Sequence, residues 1–134
     1  MNPYLDIVRH DFEVLRLLHR AGGAVDTTDW RSTLIFYIAC HYVNSLAHSR
    51  GVAFADHTDR RRWLNSTRET LWICKPYRML EERSRAARYD GRTFSTAEMR
   101  EHCDWMCLVR DLVVACLVSA GLPGPVSVDP YSCI

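Results

Sequence analysis

The segment from Trp105 to Val118 constrains this chain more than any other. Only Arg110 and Asp111 interrupt it, and the other twelve residues are apolar. A helix buried on one stripe needs about half as many. The run follows the capping signal "STAE" at 95–98 and ends at Gly121, a suitable residue just past a helix end. It therefore predicts a helix buried on two sides, at a bundle centre or between two copies of the chain. No strand signal competes, because "GPVSVDP" is short and bounded by prolines. The expected fold is all-α, a four- to five-helix up-and-down antiparallel bundle. It occupies residues 1–121 as one domain, and 122–134 form an extended surface tail with three prolines.

The other helices follow from caps and periodicity. Asn2 with Pro3 opens a first helix, in which Leu5, Val8, Phe12, Leu15 and Leu18 recur at spacings of three and four. "AGG" at 21–23 ends it. A second helix over about 29–49 is apolar nearly all round from Leu34 to Ala39, which places it centrally. Asp56 caps a third, and a fourth is expected to begin near Pro76 and run to about Tyr89.

With 134 residues the chain can bury a real core without disulfides or a metal. Cys40, Cys74, Cys103, Cys107, Cys116 and Cys133 fall mostly in helical apolar runs, so reduced thiols acting as small hydrophobes are expected. The N-terminus carries charges throughout and lacks the apolar run of a signal peptide, so a cytoplasmic location is expected. No stretch reads as a membrane span. The net charge of +1 hides an asymmetry: residues 50–92 hold eleven basic and six acidic side chains. Arg60, Arg61, Arg62, Arg85 and Arg88 belong to that segment, and Trp63, Trp72, Tyr77 and Tyr89 are interleaved with it. Such a segment can hold RNA by phosphate contacts and stacking. A solvated helix surface accounts for the charges equally well, and Trp72 in particular is expected to pack in the core.

Polar residues interrupt the central helix. His41, Asn44, Ser45 and His48 share one face by their spacing. That face either borders solvent or an interface, or lines a pocket in which imidazoles and an amide meet a phosphate or a base.

Two stretches carry a family resemblance. "FYIACHYVNSLAHSRGVAFADH" resembles the second-helix-and-loop signature of HEPN domains. "LEERSRAARYDGRTFSTAEM" resembles their later segment, where a helix ends in an Arg-Ala-Arg-Tyr-like turn before the last long helix. The resemblance covers about residues 30–118. It implies a helical bundle, commonly a homodimer, of the kind found in prokaryotic defence and toxin–antitoxin systems. A cognate protein such as a nucleotidyltransferase-type antitoxin is an implied partner, and no cofactor or metal is implied.

Many members of that family are metal-independent endoribonucleases. They use Arg, four to six intervening residues, then His, with the pairs meeting across a dimer. Positioning and charge stabilisation can cleave RNA in that way. Of the sixteen arginines here only Arg50, followed by His57, fits, and Gly51 stands where a polar residue is usual. Three readings follow. One is a HEPN-like module that binds nucleic acid, or a nucleotide, or a protein partner through His41, Asn44, His48 and the five arginines. The others are an endoribonuclease toxin using Arg50 and His57, and a non-catalytic homodimeric scaffold.

Overall fold

Five helices account for most of the chain, in a computed structural model that describes residues 2–124 and 128–134. They are α1 (Pro3–Ala21), α2 (Thr28–Ser49), α3 (His57–Ser66), α4 (Leu71–Asp90) and α5 (Thr96–Ser119). Short 3-10 turns occupy Arg68–Thr70 and Pro130–Cys133. No strand occurs among the described residues.

The helix starts obey their caps. The Asn2 side chain accepts from the Tyr4 amide, with Pro3 at the first helical position. Asp56 accepts from the Asp59 amide at 2.9 Å to start α3. Ser95 and Glu98 form the full reciprocal capping box of α5. Helix α4 departs from expectation. It begins at Leu71, so Pro76 lies inside it, one turn from its start. The preceding 3-10 turn explains this. It starts the helical path early, and Pro76 then costs a single backbone hydrogen bond near the helix end, not in its middle.

Helix α2 is the hub. It packs against α1, α4 and α5, and its buried residues run from Thr28 to Ala47. Cross-contacts set the directions. Asn2 donates to the Ser45 carbonyl while Asp11 meets His41, so α1 and α2 run antiparallel. Arg88 bonds Tyr37 and Arg50 pairs with Glu69, so α2 and α4 do too. Arg83 meets both Glu98 and His102 across the short turn joining α4 to α5. Phe36, Ile38, Tyr42, Leu46, Tyr77, Leu80, Met99 and Met106 form the centre of the core. Helix α3 is less tightly held. Leu64 is its one fully buried residue, and it packs chiefly on α4.

Two further expectations change. The inner stripe of α5 is buried through Met99, Cys103, Met106, Val109, Val113 and Leu117, but Leu108 and Val118 are more than half exposed. Among the described residues α5 is covered by α2, α4 and the C-terminal turn, and its outer side is left exposed. The tail, in turn, is only partly an extended surface segment. Val128, Pro130 and Cys133 are buried, and the final turn packs on α1 and α5. Arg110 donates to the Val128 carbonyl and Arg31 to that of Cys133, which ties the segment down. Residues 125–127 lie outside the described residues. The six thiols are all free. Among the described residues, no helix is long and apolar enough to cross a membrane.

Candidate anion-binding site

The angular spread of α2 divides its polar residues between two neighbours. His41 and His48 face α1. The Tyr4 ring stacks on His41 with centroids 6.2 Å apart and meets His48 edge-on at 5.9 Å. His41 also lies 3.5 Å from the Asp11 carboxylate. Burial, reinforced by the Arg60 charge, pushes His41 down to about 4, so its imidazole is neutral at neutral pH. Ser45 is fully buried and bonds back to the Tyr42 carbonyl. Asn44, about 60° round the helix from His41 and about 40° from His48 at 100° per residue, faces α3.

There Asn44 meets Arg60. The Arg60 Nε donates to Asn44 Oδ1 at 2.9 Å, and its Nη1 lies 2.7 Å from His57 Nδ1 and 3.4 Å from the Tyr77 hydroxyl. The guanidinium also lies 5.5 Å from the Phe54 ring centroid. Tyr77 in turn contacts the buried Cys40 thiol at 3.7 Å. A guanidinium has no lone pair to offer, so His57 Nδ1 is the acceptor and the ring proton sits on Nε2. Burial and the charges of Arg60, Arg88 and Arg61 together lower the pKa of His57. His57 here is a neutral hydrogen-bond donor at its outer nitrogen.

Arg88 forms the second half. Its Nη1 donates to the Tyr37 hydroxyl at 2.9 Å, and its guanidinium lies 5.6 Å from the Tyr37 ring and 5.5 Å from that of Tyr89. Tyr37 also lies against His57, with ring centroids 6.1 Å apart, and so joins the two halves. Beside Arg88 is a cleft of about 180 Å³ lined by Asp29, Trp30, Thr33, Ala87 and Gly91. Trp30 and Tyr89 are exposed at its edge, at 62% and 76%.

Among the described residues, neither Arg60 nor Arg88 forms an ion pair with a carboxylate. The nearby carboxylates are Asp29, in the lining of the cleft beside Arg88, and Glu81, which is buried and paired at 3.3 Å with Arg61, leaving its second oxygen without a hydrogen bond. Two partly buried cations held by neutral groups are short of negative charge. Guanidiniums so placed have the chemistry to take a phosphate or carboxylate oxygen.

The remaining expected residues lie elsewhere. Arg62 points outward to Asp59, and Arg85 is exposed on the outer face of α4. Arg50 pairs with Glu69 at 2.6 Å and lies over Trp63 at 6.0 Å, whereas His57 is surrounded by Arg60, Phe36 and Tyr37. Gly51 has a φ of 72°, the left-handed conformation that ends α2, so the helix end itself favours glycine after Arg50. Trp72 is not in the core: it is 79% exposed, because it falls on the outer side of the first turn of α4, while Tyr77 takes the core position.

Sequence reasoning missed Trp30, Tyr37 and Glu81. One signal was present for Glu81. Tyr77, Glu81, Ser84 and Arg88 recur at spacings of four, three and four, in phase with the core residues Ile73 and Leu80. Among the described residues, no group of three His, Cys, Asp or Glu side chains is arranged to hold a metal ion. No protein-family model, curated protein or solved structure matches the chain.

Proposed function

We propose that this chain is a HEPN-like module that binds single-stranded RNA across α2, α3 and α4. The supporting observation is the pair of guanidiniums, Arg60 and Arg88, that converge on His57 and Tyr37 without carboxylate partners. Phosphate oxygens complete their coordination, and the outer nitrogen of His57 adds a neutral donor. Trp30 and Tyr89 flank Arg88 as exposed rings on which a base can stack.

The test is equilibrium binding of a fluorescent single-stranded RNA over a salt series. Binding should weaken steeply with salt, and Arg88→Gln should reduce the slope by about 0.7 to 1 for one lost phosphate contact. No binding at low salt, or an unchanged slope in the variant, defeats the proposal. Incubating the same RNA in EDTA separates binding from cleavage. Scission lost in His57→Ala would favour the endoribonuclease reading.

A second reading has its own support. Leu108, Val118 and Leu122 are exposed around the C-terminal half of α5, a surface suited to a second copy in a homodimeric scaffold. Sedimentation across a concentration series tests it, and a monomer at micromolar concentration removes it.

A further inference from the structure

A second cationic cleft lies on another side of the bundle and takes no part in the reading above. It has a volume of about 320 Å³ between the last turns of α1 and the C-terminal 3-10 turn. Arg16, His19 and Arg20 line its α1 side, Phe12 gives it an aromatic wall, and Asp129 and Ser132 face them from the tail. Arg31 stands behind it. Its Nη1 donates to the Cys133 carbonyl at 2.7 Å and to His19 Nδ1 at 3.3 Å, and its Nε donates to the Thr27 hydroxyl at 3.0 Å.

The charges do not balance. Among the described residues, Arg20 and Arg31 form no ion pair with a carboxylate, and Arg16 pairs at 3.3 Å with the exposed Glu13. Arg16 and Cys133 both line the cleft, and Arg31 reaches the Cys133 carbonyl from behind it. His19 adds a donor, since the nitrogen opposite Nδ1 must carry the ring proton when Nδ1 accepts from Arg31. Asp129 is the one acid in the lining, and one of its oxygens is already committed to the Tyr131 amide.

We infer that this cleft binds a small phosphomonoester with a hydroxyl-bearing body, such as a sugar phosphate. The phosphate sits among Arg16, Arg20 and the donor nitrogen of His19. A dianion matches two or three guanidiniums better than a carboxylate does. The body occupies the remaining space, which exceeds what a bare phosphate fills. There its hydroxyls meet the free carboxylate oxygen of Asp129 and the Ser132 hydroxyl. Such a ligand bridges α1 and the tail, so occupancy stabilises the packed tail.

The probe is ribose 5-phosphate, with inorganic phosphate, ribose and sodium chloride at matched ionic strength as comparisons, read by thermal unfolding and calorimetric titration. Ribose 5-phosphate should raise the unfolding temperature saturably and bind more tightly than inorganic phosphate, and ribose should be silent. The variant Arg16→Gln/Arg20→Gln replaces two side chains with exposed surface and should keep the same circular dichroism while binding at least about tenfold more weakly. Arg88→Gln should bind ribose 5-phosphate normally, so loss of RNA binding and loss of this site are distinguishable. No saturable shift, an equal shift with sodium chloride, or undiminished binding in the double variant overturns the site. Equal affinity for ribose 5-phosphate and inorganic phosphate overturns the assignment of the hydroxyl-bearing body.

Discussion

The hydrogen bond from Arg60 to Asn44 offers the sharpest test of the candidate site. Its acceptor is 8% exposed and its donor is charged, at 2.9 Å. Arg60→Met keeps the apolar stem but leaves Asn44 Oδ1 without its partner, a cost of about 1–3 kcal/mol. Asn44→Leu removes the acceptor, while Arg60 keeps His57 and Tyr77, and costs about 1–2 kcal/mol. In the double variant neither partner is orphaned, and the partly buried cation is gone as well. The double variant should therefore be more stable than the two single effects predict, with a coupling of about 2 kcal/mol. For a chain of this size that is roughly 7 °C in unfolding temperature. Urea titration followed by circular dichroism measures all four proteins. Single effects that add to the double within about 0.5 kcal/mol would refute the reasoning. The double variant should also lose RNA binding while remaining folded, which is the mark of a site held at some expense of stability.

Acid should destabilise the fold through its buried imidazoles. Burial first, then the neighbouring Arg83, pushes His102 down to about 4, while the unfolded chain protonates near 6.5. The unfolded state therefore binds protons first: stability is full above about pH 6.5 and falls toward pH 4. His102→Gln keeps an acceptor for Arg83 and should recover on the order of 3 kcal/mol of that acid loss, read from urea titrations at neutral pH and at pH 4. Truncation after Gly124 should cost about 3 kcal/mol, because it removes the buried Val128 and Cys133 and the carbonyl acceptors of Arg31 and Arg110. An unchanged urea midpoint would contradict the observed packing of the tail. Trp72→Ala should leave stability within about 0.5 kcal/mol. If the RNA strand extends along the outer face of α4, that variant should also bind about 1–3 kcal/mol more weakly.

Local chemistry was legible where it is local. The caps at Asn2, Asp56 and Ser95 act within three residues, and each was readable as such. The central place of α2 followed from its apolar circumference. The site was legible only as a list of residue types. Arg60 and Asn44 lie on different helices, as do Arg88 and Tyr37, so no spacing announces either pair. Spacing places His41, Asn44 and His48 within an arc of about 60° on α2, but the structure splits that arc between α1 and α3, and spacing alone does not say which side faces which neighbour. Pro76 misplaced the start of α4 because a 3-10 turn can begin the helical path ahead of it. The packing of Val128 and Cys133 has no periodicity to betray it. A short segment can fill a gap between helices without any repeat of its own.

Leu64 is the one fully buried residue of helix α3, yet the helix carries both Arg60 and His57. Arg88 and Tyr37 belong instead to the interlocked pair α2 and α4. The site thus straddles a boundary between two levels of cooperativity. Amide hydrogens of α3 should exchange by a sub-global opening, and those of α2 only with complete unfolding. A bound anion bridging Arg60 and Arg88 would close that gap, and the exchange rates of α3 would then report occupancy of a site on the far side of the boundary.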